Sequence, residues 1–340
     1  MTDSDRLFRL PKAELHVHLD GSLRPETMLD LAAERDVTLP ATDPQALWDY
    51  MVVSDARNLE DYLDRFRLTL ALMQDEDAIE RIAYELAEDH AKENVRYVEA
   101  RFCPALNTDG GLEADAVLDA SLRGLARAEV DHGIRTNVIV CGLRSLDPAV
   151  SIAMAELAAA YSDKGVCAFD LAGGEAGNPV RDHLEAFGIA EAAGLGITIH
   201  AGEGFGPESI RQALDDGHAH RIGHGTRLYE DPELMATVRD RAIPLEVCVT
   251  SNVQTRVAPS FGEHPVRQYL DEGLTLTLCT DNRLMSGVTL TEEYKSAQTH
   301  LGFDWDAAVR VARMGMESAF LAPETKAELL SDFDRVVSEL

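Results

Sequence analysis

Lysine is scarce in this sequence. Lys12, Lys92, Lys164, Lys295 and Lys326 are its only lysines, and the remaining basic residues are arginine. Against 31 lysines and arginines stand 60 aspartates and glutamates, a formal net charge of −29. Such a surface repels phosphate backbones and anionic headgroups, which argues against nucleic acid and membrane as partners. It suits a salty cytoplasm, where ions screen repulsion among like charges. Cysteine is also sparse. Cys103, Cys141, Cys167, Cys248 and Cys279 form no Cys-x-x-Cys pair, and their number is odd. They read as small buried hydrophobes in a reducing compartment rather than as a disulfide framework. No apolar run approaches the roughly 18 residues a membrane helix needs. Acids close to Met1 replace the apolar stretch of a signal peptide, so a soluble cytoplasmic protein is expected. A Pro/Gly/Ser-rich linker and internal repeats are missing too, which predicts a single domain over residues 1–340.

What the chain does contain, over 340 residues at 45% hydrophobic composition, is an alternation. Short apolar, β-branched runs are followed by loops and then by helical patterns. Eight such runs occur: Ala13–Leu19, Val95–Phe102, Arg135–Leu143, Val166–Gly173, Gly196–Gly202, Arg221–Gly225, Ile243–Thr250 and Leu274–Asp281. Helical stretches lie between them at Asp77–Glu93, Ala114–His132, Pro148–Tyr161 and Pro179–Ala193. Eight strands in this order predict an α/β fold, a single (β/α)8 TIM barrel. A doubly wound open sheet is the competitor, but no glycine-rich phosphate turn follows an early strand. Residues 36–72 are too long for a simple connection after the first strand. Leu59, Tyr62, Leu63 and Phe66 recur there at helical spacing, which predicts a helical insertion, either a lid over the barrel mouth or a helix packed on the core.

The barrel reading gives meaning to a set of scattered polar residues. In the strand segment His16-Val17-His18, residues two apart share a face, so both imidazoles point the same way. His200 closes the fifth run, His224 the sixth and Asp281 the eighth. A lone His-x-His is more often structural, and a lone strand-end aspartate is usually a helix cap. In a barrel, however, all these strand ends converge on one mouth. Imidazoles with a carboxylate suit a borderline metal such as Zn2+. Glu203 lies three residues beyond His200, in the turn, where a general acid or base belongs. His218 and His220 precede the sixth run and read as solvated residues or as supports behind the ligands.

At these residues the chain resembles the adenosine deaminase family. The resemblance runs through PKAELHVHLDGSLRPET at Pro11–Thr27, DLAGGE at Asp170–Glu175, TIHAGE at Thr198–Glu203, RIGHG at Arg221–Gly225, TSN at Thr250–Asn252 and CTDN at Cys279–Asn282. It implies one zinc ion per chain, held by His16, His18, His200 and Asp281. It further implies that Glu203 protonates purine N1, and that His224 and Asp281 orient and deprotonate the attacking water. The Gly173 N–H would meet purine N3 and Asp20 the ribose 5′-hydroxyl. Leu59, Tyr62, Leu63 and Phe66 would form an apolar wall over the nucleoside. The sequence departs from the family pattern at Asn282, where a second aspartate is usual beside purine N7, and at Cys103, where serine is common. The His-x-Glu and Pro-Cys-x-x-Cys signature of other zinc base deaminases is absent, so the same reaction is expected on a different fold. The fourth run ends without a lysine, which favours one metal over two. The expected function is hydrolysis of adenosine and 2′-deoxyadenosine to inosine and 2′-deoxyinosine, releasing ammonia. Relatives that deaminate free adenine or 5′-modified adenosines are the alternative. Asp20 speaks against both, because a carboxylate there rewards a 5′-hydroxyl. The expected partner is a small nucleoside; the oligomeric state is not legible.

Overall fold

The computed structural model describes residues 2–53, 62 and 65–340. All eight anticipated runs form parallel strands: β1 (Lys12–His18), β2 (Val95–Phe102), β3 (Arg135–Leu143), β4 (Val166–Ala172), β5 (Gly196–Ala201), β6 (Arg221–His224), β7 (Leu245–Val247) and β8 (Leu276–Leu278). Each pairs with the next in sequence order. A parallel bridge between Val17 and Asp281 brings β8 back to β1, with Asp281 N donating to His16 O at 2.8 Å and His18 N to Asp281 O at 2.7 Å. The architecture is a (β/α)8 barrel, and all strands point the same way, so their C-terminal ends share one mouth.

Helices start where short polar side chains satisfy the free N–H groups of a first turn. Asp75 caps the helix Glu76–Lys92 by accepting from Ala78 N, and Asp147 caps Pro148–Ala160 by accepting from Ala149 N. Their apolar faces close over the strands. The helix Glu76–Lys92, for instance, buries Ile79, Ile82, Ala83 and Leu86. All five cysteines are free thiols and four of them are buried, as their strand positions led one to expect.

Some boundaries differ from the sequence reading. The run Ile243–Thr250 is strand only over Leu245–Val247, because the helix Val249–Gln254 begins within it. The run Leu274–Asp281 is strand only over Leu276–Leu278. The stretch 179–193 is a tight turn, Val180–His183, followed by a helix, Leu184–Ala192. Within 36–72 the helix Pro44–Met51 and the short helix Phe66–Leu70 are seen, while Leu59 and Leu63 lie outside the described residues. His218 and His220 are exposed, as expected, and His220 Nδ1 accepts from Ile197 N at 2.9 Å.

The centre of the barrel is not apolar throughout. Glu99, Arg101, Asp170, Arg221 and Glu246 are all buried there. Glu246 accepts from Arg101 at 2.8 Å and from Arg221 at 2.6 Å, and Arg221 also binds Glu99. Burial alone would raise the Glu246 carboxyl, but the two guanidinium groups outweigh it and hold it well below the usual carboxylate range. These charges persist because each is paired.

Candidate metal and substrate site

β1 delivers His16 and His18, β5 delivers His200, and β6 ends at His224. Asp281 and Asn282 follow β8. His224 (φ 62°) and Asp281 (φ 59°) both adopt the left-handed backbone conformation that side chains other than glycine rarely take. Such strain persists where the surrounding structure over-determines it, typically at functional positions. Here it turns both side chains into the barrel mouth. Ligand atoms of His16, His200, His224 and Asp281 all lie within 4.8 Å of one another. His18 joins them, its Nε2 being 3.2 Å from His200 Nε2 and 3.3 Å from Asp281 Oδ1.

The chemistry of this cluster calls for a cation. His16 Nδ1 sits 2.8 Å from Glu246 and His200 Nδ1 2.9 Å from Asp170, so each ring donates its Nδ1 hydrogen to a carboxylate. That leaves a bare lone pair on each Nε2, and His16 Nε2 is buried without a hydrogen-bond partner. Metal-ligating histidines are held in this way, the second ring nitrogen donating to a carboxylate. Burial and Arg101 press the His16 imidazolium down, yet Asp281 and Glu246 prevail and raise its pKa, as two anions beside a ring will. Burial would raise the Asp281 carboxyl, but the surrounding imidazoles keep it ionised, well below the ordinary range. His18 and His200 are held below the usual histidine value, chiefly by burial. Buried acceptors converging without donors fit a bound metal ion.

The cluster forms one end of a cavity. Its lining includes His18, Asp20, Tyr62, Phe66, Gly173, His200, Glu203, His224, Asp281 and Asn282, with Phe102, Cys103, Leu106 and Leu143 as apolar walls. His16 lies beneath it, fully buried. The structure thus gathers every expected site residue that it describes. Among the described residues, none of those lining the cavity is lysine or arginine. Gly173 takes φ 90°, a conformation that suits glycine and leaves its backbone bare at the cavity wall. Asp20 is buried with Oδ1 unpartnered, and burial pushes its carboxyl up to about 7. Asn282 Oδ1 is also without a partner and packs over Gly21, where an added Cβ would come within 1.8 Å of it. Tyr62 is tied to Ser286 by a 2.8 Å hydroxyl contact.

Three supporting residues escaped the sequence reading. Asp170 and Glu246 orient the His200 and His16 imidazoles. Charged residues at inward positions of otherwise apolar strands were the available signal. The third is Glu175, whose carboxylate accepts from the backbone N–H groups of Gly202 (3.0 Å), Glu203 (2.8 Å) and Gly204 (3.0 Å). It clamps the turn that carries Glu203. Glu175→Gln keeps only one acceptor oxygen and turns an NH2 toward those donors. Displacing a catalytic group by 1 Å can cost ~10²-fold. We therefore expect kcat to fall by up to about that factor with KM changed much less, measured by steady-state kinetics on the metal-loaded protein.

A parallel eight-stranded barrel with imidazoles and an aspartate gathered at the C-terminal mouth defines a metal-dependent hydrolase of the amidohydrolase type. The adenosine deaminase family matches residues 11–336, and the chain belongs to that family. It is 39% identical to the adenosine deaminase of Clostridium kluyveri, across 95% of this chain and 93% of that one. It is 40% identical to the probable adenosine deaminase of Dictyostelium discoideum, across 95% of this chain but 42% of that longer protein. Among solved structures it resembles adenine deaminase from Arthrobacter aurescens (28% identity, 97% and 99% of the two chains, TM-score 0.90). It also resembles a zinc-bound amidohydrolase from Burkholderia ambifaria (27%, 100% and 95%, TM-score 0.88) and the N6-methyl-AMP deaminase of Arabidopsis thaliana (30%, 99% and 100%, TM-score 0.87). The chain is a hydrolytic deaminase.

Proposed function

We propose that this deaminase acts on adenosine and 2′-deoxyadenosine, exchanging the 6-amino group for oxygen and releasing ammonia. The observation that carries the nucleoside reading is Asp20, a buried carboxylate in the cavity wall with an unpartnered oxygen. A ribose 5′-hydroxyl supplies the donor it lacks; free adenine and an apolar 5′ extension do not. A 5′-phosphate is disfavoured for the same reason, since it would sit beside an acid in a cavity whose described lining has no lysine or arginine.

His16, His18, His200 and Asp281 would hold one zinc ion. When bound, the ion supplies hydroxide at neutral pH by lowering the pKa of water from 15.7 to about 7. The other steps belong to the chain. Glu203, buried in the turn after β5, protonates purine N1, which makes C6 electrophilic. His224, whose Nε2 lies 3.5 Å from Glu203 Oε2, orients the attacking oxygen. Asp281 takes its proton, steadied by Ser251 Oγ donating to Oδ2 at 2.6 Å, and passes it to the 6-amino group, which leaves as ammonia while the C6 hydroxyl proton restores Glu203. The Gly173 N–H meets N3, and the Tyr62 and Phe66 rings cover the base. The described part of the insertion, which brings Tyr62 and Phe66 to the cavity, would serve as the lid. Loss of adenosine absorbance, compared with adenine, AMP and 5′-methylthioadenosine, tests the substrate. Faster turnover of any of these three would overturn the nucleoside reading.

Asn282 gives a sharper check. Purine N7 only accepts, so an aspartate there must be protonated to bind it, whereas an asparagine NH2 always donates. Oδ1 packs over Gly21, and this reading assigns the NH2 to the substrate. Replacing N7 by carbon, as in 7-deazaadenosine, should cost about 1–3 kcal/mol in kcat/KM by leaving that donor unpaired. Asn282→Asp should stay active, and Asn282→Leu should barely distinguish the two compounds. Equal processing of both by the wild type would show that the contact does not exist.

A further inference from the structure

His224 is surrounded by groups that decide which of its nitrogens carries the proton, and the decision can be followed inward from the backbone. The starting point is Val266, whose N–H lies 3.2 Å from His264 Nδ1. A backbone N–H can only donate, so His264 Nδ1 must present its lone pair, and in a neutral imidazole the hydrogen is then on Nε2. Burial, which presses His264 down to about 3, keeps it neutral.

His264 Nε2 is 3.2 Å from Asn252 Oδ1, and Thr226 Oγ1 donates to the same oxygen at 2.7 Å. The hydrogen on His264 therefore needs an acceptor where that oxygen stands, which settles the orientation of the Asn252 amide. Its Nδ2 then faces His224 Nδ1 at 3.1 Å. An amide NH2 donates and does not accept, so His224 Nδ1 holds a lone pair and Nε2 holds the hydrogen. All four side chains, Thr226, Asn252, His264 and His224, are buried, so water does not compete for these bonds.

We propose that Asn252 and His264 are positioning residues that lock His224 into the Nε2–H tautomer, making it a hydrogen-bond donor to the attacking oxygen and neither a base nor a metal ligand. Neither residue is among those lining the cavity. The contrast with His16 and His200 carries the point. Those two rings donate through Nδ1 to carboxylates and turn bare nitrogens inward, while His224 accepts through Nδ1 from an amide and turns a hydrogen inward. The ring position alone, within 4.8 Å of the other ligand atoms, would not separate them. Proton removal is then left to Asp281. What the donor faces rests on the deaminase reading; the tautomer does not.

The test is a long-range 1H–15N spectrum of zinc-loaded, 15N-histidine-labelled protein without substrate, with His224 assigned by the signals that His224→Gln removes. The expected wild-type pattern is a protonated Nε2 and a bare Nδ1. Asn252→Asp replaces the donor by an acceptor and should move the proton to Nδ1, with kcat/KM falling about 10–100-fold, the usual cost of losing an outer partner. His264→Gln, which still offers a donor to Asn252, should preserve tautomer and rate, and His264→Leu should not. A wild-type proton on Nδ1 would overturn the proposal without any variant having to fold. So would an Asn252→Asp protein that folds with its tautomer unchanged. Because the spectrum needs no substrate, failure to turn over adenosine would sink the substrate reading and leave the tautomer result intact.

Discussion

Replacing Glu203 by glutamine is expected to lower kcat by about 10²–10⁴-fold, the usual contribution of a positioned acid. The fold and the bound metal should be retained. The carboxylate is buried in a turn pinned by three hydrogen bonds to Glu175, so an isosteric amide fits the same space. It cannot deliver a proton to N1, and without that proton C6 remains a poor electrophile. Nor does Glu203 belong to the group that gathers for the metal: its carboxylate lies 3.5 Å from His224 Nε2 and 3.4 Å from Thr255 Oγ1. Steady-state kinetics with metal analysis on one preparation separates the two roles. A variant within a few-fold of wild type would show that the proton comes from elsewhere.

Removing His16 or Asp281 should abolish metal and activity together. Each would contribute one ligand atom of the set, and the remaining ligand imidazoles would face one another as acceptors. His16→Ala does further damage. It takes one donor from Glu246, whose same oxygen still accepts from Arg101, so the stability lost is that of one net hydrogen bond to a charged group, about 1.5–3 kcal/mol. Asp281→Ala opens the bridge to Val17 less directly, since that bridge is backbone. Metal content per chain and the rise in Tm on adding zinc to stripped protein are the measurements. A ligand that binds only the folded state stabilises it by an amount that grows with the logarithm of its concentration over Kd, and so raises Tm. Wild type should show that rise and both variants should lose most of it. A fully active preparation free of metal would end the reading of this site.

The sequence reading and the structure agree where the physics is local or periodic. Alternation of strand runs with helical patterns is a property of neighbouring residues, so eight strands and their order could be read directly. The pair His16 and His18 could be placed on one face because a strand repeats every two residues. Strand ends were legible less well. Val249–Gln254 coils into a helix inside an apolar run that alternation alone extends to Thr250. Leu59 and Leu63, expected on the wall with Tyr62 and Phe66, lie outside the described residues, so only half of that set is seen at the cavity.

What the sequence by itself determined was the barrel and the gathering of histidines, an aspartate and Glu203 at its mouth, because a barrel sends every strand end to one place. What only the tertiary structure decided was which way each group faces. Glu246 is 230 residues from His16 in the chain, and Glu175 lies 28 residues before Glu203. No periodicity links such pairs. The pairing of Asn252 with His224 is of the same kind, with a separation of 28 residues. A proton's position on an imidazole depends on the donor or acceptor that meets its other nitrogen. That neighbour is chosen by packing across the barrel and is invisible in the local order of residues.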